Sequence, residues 1–480
     1  MRLQCLAAVT ASLLSACAVG PDFQRPAPPS TSQYTGSEQP EMTAAAAGEG
    51  GAAQRVISGA AVPSRWWELF HCDALNTLVQ SALAHNPTVL AARARLREAQ
   101  EEVTAQTNGT RYPAVDGQLG VTRQKLDPAA FGLPNIASEP PFTLFNAQVN
   151  VSYTLDVFGA NRRTIEATGA QAEYQAYEAQ AAQLTLAANV VSAAIRQADL
   201  QAQIDYTEQI LQAQSQQLAI SEQRHRAGGI ALQDLQDRRS QLEQVRATLP
   251  YLQAQRQQVD HQLAVYTGMP PSEAAIPRFA LEDLQLPAEL PLTLPSELVR
   301  TRPDVSASEA LLHEAGANIG VATANLFPHL SISGYAGSDR TRASDLVDGA
   351  NVWSIGATLM QPIFHAGELR ARKRAAVAAY DAAAQAYEET VLESLQQVAD
   401  CLRVLDADAR ALQARSAASV QAGASYGIAR QRFDVGGISE FSLLDAQRTQ
   451  LQSSLDRNHA EAQRYADTAA LLHAVGGSLN

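Results

Sequence analysis

Apolar and polar residues alternate one by one in four stretches of the chain. Val115, Leu119 and Val121 share one parity, with Asp116, Gln118 and Thr122 on the other. Phe145, Ala147, Val149, Val151, Tyr153 and Leu155 alternate with Asn146, Gln148, Asn150, Ser152 and Thr154. Later, Leu330 and Ile332 oppose Ser331 and Ser333, and Trp353, Ile355, Ala357 and Leu359 oppose Ser354, Gly356 and Thr358. Period-two patterning of this length predicts strands with one apolar and one wet face. After each strand pair the period lengthens. Residues 158–226 and 364–434 hold no Pro, are rich in Ala and Gln, and place apolar residues at coiled-coil spacing, as at Leu200, Ile204, Leu211 and Leu218. Each run predicts a helix of about 70 residues, roughly 100 Å at 1.5 Å per residue. A Gly-Gly turn and a shorter helical run follow each, over 232–266 and 441–475.

The chain therefore reads as two copies of one unit. Gln223-Arg224-x-x-x-Gly228-Gly229-Ile230 recurs as Gln431-Arg432-x-x-x-Gly436-Gly437-Ile438, an offset of 208 (from 228 to 436). Pro87 and Pro303, Tyr112-Pro113 and Phe327-Pro328, and Phe158 and Phe364 are further pairs. An internal repeat of this size predicts pseudo-symmetry rather than two unrelated domains. Four strands cannot close a barrel, since closed barrels begin at about eight. A membrane-spanning barrel would have to be shared between subunits.

Composition supports long helices over a bulky core: of 480 residues 46% are hydrophobic but only 6% aromatic. A net charge of −13 with dispersed basic residues excludes a nucleic-acid-binding surface. After the N-terminal region no stretch reaches the about 20 apolar residues of a transmembrane helix. Arg2 and the apolar run 3–14 followed by Leu14-Ser15-Ala16-Cys17 read as a secretory signal whose end resembles a bacterial lipobox, with Cys17 as the lipidated residue. The expected organisation is a signal peptide (1–16), a lipidated, extended tether (17–63), a first repeat of helix, strand pair and helical hairpin (64–276), a linker (277–295) and a second repeat (296–480).

Motifs spread over almost the whole chain resemble the TolC-like outer-membrane efflux proteins, in the lipoprotein (NodT-like) subgroup found with RND-type pumps. They are Cys17-Ala18-Val19-Gly20-Pro21, Trp66-Trp67 with Leu75 and Leu78, Asn86-Pro87, Leu155-Asp156-Val157-Phe158-Gly159, Arg302-Pro303-Asp304, Gln361-Pro362-Ile363-Phe364 and Leu443-Leu444-Asp445-Ala446-Gln447. The resemblance implies an α+β fold: a homotrimer whose outer-membrane β-barrel, four strands from each chain, continues as a periplasmic α-helical coiled-coil barrel. It implies passive export of drugs or other small amphiphilic compounds from a Gram-negative cell. A periplasmic adaptor (membrane fusion protein) and an inner-membrane RND transporter would be the partners, with outer-membrane lipid around the barrel. The hairpin tips Gly228, Gly229, Ile230, Gly436, Gly437 and Ile438 would meet the adaptor. Asp445 would ring the periplasmic gate, with Asp234 beyond the other tip as a further gate acid; an Asp445 side chain paired with Arg448 or Arg239 on an exposed helix is the alternative.

Metal-ion efflux and type I protein secretion stay open as duties of such a duct, as does a non-conducting periplasmic coiled-coil scaffold. The alternating strands weigh against the scaffold. An enzyme is not expected: the nine His are scattered and no HExxH, GxSxG or phosphate-loop pattern occurs. No cofactor or metal is expected. Cys72 and Cys401 are read either as a disulfide or as two thiols.

Overall fold

A computed structural model describes all residues except 1–18, 37–39, 126, 128–131, 133–134, 136–139 and 477–480. In chain order the elements are β1 (Arg55–Ser58), α1 (Asp73–His85), α2 (Pro87–Arg111), β2 (Ala114–Gln124), β3 (Phe142–Leu155), α3 (Ala160–Arg226) and α4 (Leu232–Tyr266). The second half continues with β4 (Glu289–Leu292), α5 (Pro295–Thr301), α6 (Pro303–Ala324), β5 (His329–Arg340), β6 (Val352–Met360), α7 (Glu368–Asp434) and α8 (Glu440–Val475). Two compact units result. Of the described residues, one unit comprises 19–25, Leu96–Gln175 and Ser308–Tyr387; the other comprises Pro26–Arg95, Ala176–Ala307 and 388–476.

Local sequence explains where the helices start. Pro87 and Pro303 sit at first helical positions, where a missing N–H costs nothing. Asn86 caps α2: its side-chain oxygen accepts from the Thr88 N–H at 2.9 Å, and its amide donates to the Tyr266 carbonyl at 3.0 Å. Gly159 (φ 82°) and Gly367 (φ 86°) turn the chain into α3 and α7. These glycines are also 208 apart, so α3 and α7, 67 residues each, run in register to their tips without an insertion. The matched pair is therefore Gly159 with Gly367, not Phe158 with Phe364. Phe158 stacks on Phe327 with ring centroids 4.8 Å apart, whereas Phe364 is exposed.

In the first unit the four strands form one antiparallel sheet in the order β2-β3-β5-β6. Its register aligns like with like. Val115, Val151, Gly334 and Ile355 form one row, and Gly117, Val149, Ala336 and Trp353 another, all on the apolar parity. Asp116, Asn150, Tyr335 and Ser354 form a row on the polar parity. Leu119, Val121, Trp353, Ile355 and Leu359 are all more than half exposed in the single chain. Each outer strand, β2 and β6, leaves an edge unpaired within the chain. Because the strand count is even, β6 of one chain would meet β2 of another antiparallel, the geometry a shared barrel needs.

The second unit holds the core. Trp66, Trp67, Phe70, Leu75, Val79, Leu263, Leu290, Leu298, Leu471 and Leu472 are all buried in one cluster. The seam of α3 departs from the expected one. Leu200 and Ile204 are buried, but the seam continues through Ile210, Ala213 and Gln217, leaving Leu211 and Leu218 half-buried on a neighbouring face. A helix at 3.6 residues per turn drifts off a strict seven-residue stripe, and this one offers apolar surface on two sides.

Residues 19–36 and 40–63 are largely extended, yet they are not loose. They contribute β1, which pairs parallel with β4 of the inter-repeat segment, Arg55 opposite Glu289 through Ser58 opposite Leu292. Four-residue strands are too short to show a period, and Pro291 hides the second one.

Candidate functional site

The hairpin tips are two copies of one glycine turn. Gly228 and Gly436 both adopt φ 74°, the left-handed conformation that ends α3 and α7. The Gly228 N–H donates to the His225 carbonyl (2.9 Å) and the Gly229 N–H to that of Arg224 (2.8 Å). Gly436 and Gly437 do the same to Phe433 (2.8 Å) and Arg432 (2.7 Å), giving a Schellman cap at each tip. The two glycines of a pair thus differ. Gly228 and Gly436 supply the positive φ, while a Cβ on Gly229 or Gly437 would lie 3.3 or 3.2 Å from a capped carbonyl oxygen. Ile230 and Ile438 are half-buried, and Ile230 offers its carbonyl to His225 Nδ1 at 3.1 Å. Among the described residues, Leu232 and Val435 are large apolar side chains more than half exposed at the tips, and sequence reasoning did not single them out.

Beyond each tip lie the two acids. Asp234 occupies the first turn of α4, where the helix N-terminus favours negative charge. Asp445 lies a turn further along α8, half-exposed, with Arg448 Nη2 3.0 Å from its Oδ1. At the 208 offset the counterpart of Asp445 is Asp237 and that of Asp234 is Ser442, so the two acids stand at different levels of the repeat. Arg239 pairs with Glu222 at 2.7 Å instead of with Asp445.

Two buried arginines, also missed from sequence, hold the N-terminal segment. In the first unit Arg163 is 95% buried; it bonds Asp22 at 2.6 Å and Glu166 at 2.7 Å and points at the carbonyls of Val19 and Gly20. Gly20 lies so close that a Cβ would come within 2.5 Å of the Gly320 Cα. Phe23 stacks on His313, which itself reaches Glu166 at 3.0 Å. In the second unit Arg464 is fully buried on α8 and donates to the Ala52 carbonyl (2.8 Å), Thr43 Oγ1 (2.9 Å), Gln54 Oε1 (3.3 Å) and the Gly50 carbonyl (3.4 Å). Burial lowers the pKa of this guanidinium, opposed by Tyr465, Asp408 and Glu461. Glu461 also accepts from the Gly50 N–H. The neighbours of Arg464 in sequence, Gln463, Asp467 and Thr468 among alanines, give no sign that it is buried. Cys17 lies outside the described residues, two positions before Val19.

Cys72 and Cys401 are both free thiols, Cys72 in the core and Cys401 half-buried beside it, its pKa raised by burial and by Asp467 and Asp400. Among the described residues no cluster of His, Cys, Asp and Glu is placed to hold a metal, and no helix is long and apolar enough to cross a membrane.

Comparison with known proteins agrees with this geometry. A family described as outer membrane efflux protein matches residues 78–269 and again residues 294–477. The chain is 30% identical over 475 residues to the outer membrane protein OprJ of Pseudomonas aeruginosa, covering 98% of this chain and 95% of that one. It is 30% identical over 448 residues to the antibiotic efflux pump outer membrane protein ArpC of Pseudomonas putida, covering 92% and 88%. Among solved structures, the outer-membrane channel OprN superposes with a TM-score of 0.81 at 29% identity, over 96% of this chain and 99% of that one.

Proposed function

The chain belongs to the outer membrane efflux protein family, and from that premise we propose that it is the passive exit duct for small amphiphilic drugs in a tripartite RND-type pump. Its fold is α+β, that of the trimeric outer-membrane channels with a large periplasmic helical part. The observation that carries the reading is the four-stranded sheet with two free edges and an uncovered apolar face: alone it is unstable in water, and three copies close it into twelve strands. Drugs are favoured because ArpC, to which the chain is 30% identical, is an antibiotic efflux component. The duct itself catalyses nothing; energy and selection belong to the inner-membrane transporter, reached through an adaptor.

Three site assignments go with this reading. Cys17 carries lipid, which mass spectrometry of the mature N-terminus tests. The tips touch the adaptor, and the exposed pair Leu232 and Val435 supports a contact there. Replacing both with Asp, which leaves the glycine caps alone, is expected to abolish drug export while trimers still form; export that survives rules the contact out. Asp445 rings the periplasmic aperture. In planar bilayers the purified protein is expected to give stepwise ionic currents, and Asp445→Ala to raise single-channel conductance and weaken cation selectivity. Absence of steps from the wild-type protein overturns the channel; unchanged selectivity in an assembled Asp445→Ala trimer removes Asp445 from the aperture.

A further inference from the structure

The tips of the two repeats are alike in backbone but not in side chains, and the difference is concentrated on one aromatic residue. Phe441, in the first turn of α8, lies under two guanidinium groups from the other hairpin. The Arg238 Cζ is 4.2 Å from its ring centroid and the Arg224 Cζ 5.9 Å. Both distances fall within the range in which a cation is attracted to the face of an aromatic ring. Gln217 of α3 reaches the Phe441 carbonyl at 3.4 Å, so side chain and backbone of this residue both engage the first hairpin. Leu235 on α4 and Leu444 on α8 are both buried.

Only Arg224 has a like counterpart in the repeat, Arg432; at the 208 offset Phe441 corresponds to Gln233, and Arg238 to Ala446. If the repeat's pseudo-symmetry extends to a trimer, the junction between neighbouring chains would set Ala446 against Gln233 of the next chain. It can form no ring-cation contact there. The six tip-to-tip junctions are thus of two kinds, and the aromatic one occurs only within a chain. Phe441 also stands four residues before Asp445, one turn away on the same side of α8. Any swing of the start of α8 away from the first hairpin carries Asp445 with it.

We infer that Phe441, held by Arg238 and Arg224, is the latch that joins the two hairpin tips of each chain and sets the width of the periplasmic aperture. This rests on the reading of Asp445 as an aperture residue. Phe441 is a positioning residue: it acts through the placement of α8, and its own ring need not meet the cargo.

The test is single-channel recording of assembled trimers in planar bilayers. Phe441→Leu keeps the apolar bulk and removes the ring; Arg238→Gln removes the closer cation. Each is expected to raise the open population roughly two- to fivefold. The double variant should exceed neither single one, because both break the same contact. Phe441→Tyr, which keeps the ring face, should behave as wild type, a rescue that simple loss of packing does not produce. Wild-type gating in both Phe441→Leu and Arg238→Gln, additive effects, or failure of Phe441→Tyr to restore gating overturns the latch. Should Phe441→Leu not assemble, the half-exposed Arg238→Gln carries the test. Asp445→Ala recorded in parallel separates the two readings. If it loses cation selectivity while the Phe441 and Arg238 variants are silent, the aperture stands and the latch falls; if Asp445→Ala is silent as well, both fall.

Discussion

Arg464→Met is expected to destabilise the protein by about 3–5 kcal/mol and to free the N-terminal segment from α8. The buried guanidinium bridges four acceptors, on Thr43, Gly50, Ala52 and Gln54. Methionine fills similar volume but leaves two backbone carbonyls and two side-chain oxygens without that donor, those of Gly50 and Gln54 in buried positions. Arg464→Lys should rescue little, since a single ammonium cannot span the positions a planar fork reaches. Hydrogen exchange localises the effect. Amides of residues 43–58 should lose protection in Arg464→Met while those of α3 keep theirs, with a lowered thermal midpoint for the whole trimer. Unchanged protection over 43–58 would show that the strand pairing of β1 with β4 holds the segment without Arg464.

The second large effect is on the pH dependence of stability. Asp408 on α7 faces Asp467 on α8. Burial, and then the hydrogen bond and charge of Asp467, raise its pKa from 3.8 to about 7, with Arg464 opposing the shift. Its Oδ2 is buried without a partner unless a proton joins the two carboxyl groups. The sign follows from linkage. Between about pH 4 and about pH 7 the folded chain holds a proton that the unfolded chain has released, so this group's contribution to stability is complete below about pH 4 and is lost as pH rises through about 7. Thermal unfolding followed by helical circular dichroism should therefore show the wild-type midpoint falling between pH 5 and pH 8. Asp408→Asn keeps the hydrogen bond to Asp467 and needs no proton. Its midpoint should fall less over that range and exceed that of wild type at pH 8; parallel profiles would mean that both carboxylates are already charged and solvated at pH 5. Because the half-exposed pair bridges α7 and α8, the two arms of the second hairpin, the same change should tighten that hairpin in the upper pH range.

Sites were legible from sequence where a backbone constraint left a specific residue. The glycine turns were visible because only Gly takes φ 74° cheaply, and the repeat of Gly228-Gly229 at Gly436-Gly437 marked both tips. Which glycine of each pair turns the chain was not visible, since dihedral angles leave no mark on two identical letters. The clamps at Arg163 and Arg464 were invisible for another reason. A buried arginine reads like a surface one until the segment that covers it, about 140 positions away for Arg163 and over 400 for Arg464, is in place.

The sequence by itself determined the local periods and their order: four strands of period two, two helices of 67 residues ended by glycine caps, and the repeat that makes the halves alike. These depend on neighbours a few residues apart, so they can be read along the chain. Tertiary structure alone decided the sheet order β2-β3-β5-β6, the docking of residues 19–25 and 40–58, the free thiols of Cys72 and Cys401, and the meeting of Phe441 with Arg238. Each of these joins residues far apart in sequence. Their proximity is fixed by how whole helices and strands pack, a constraint that no local pattern records.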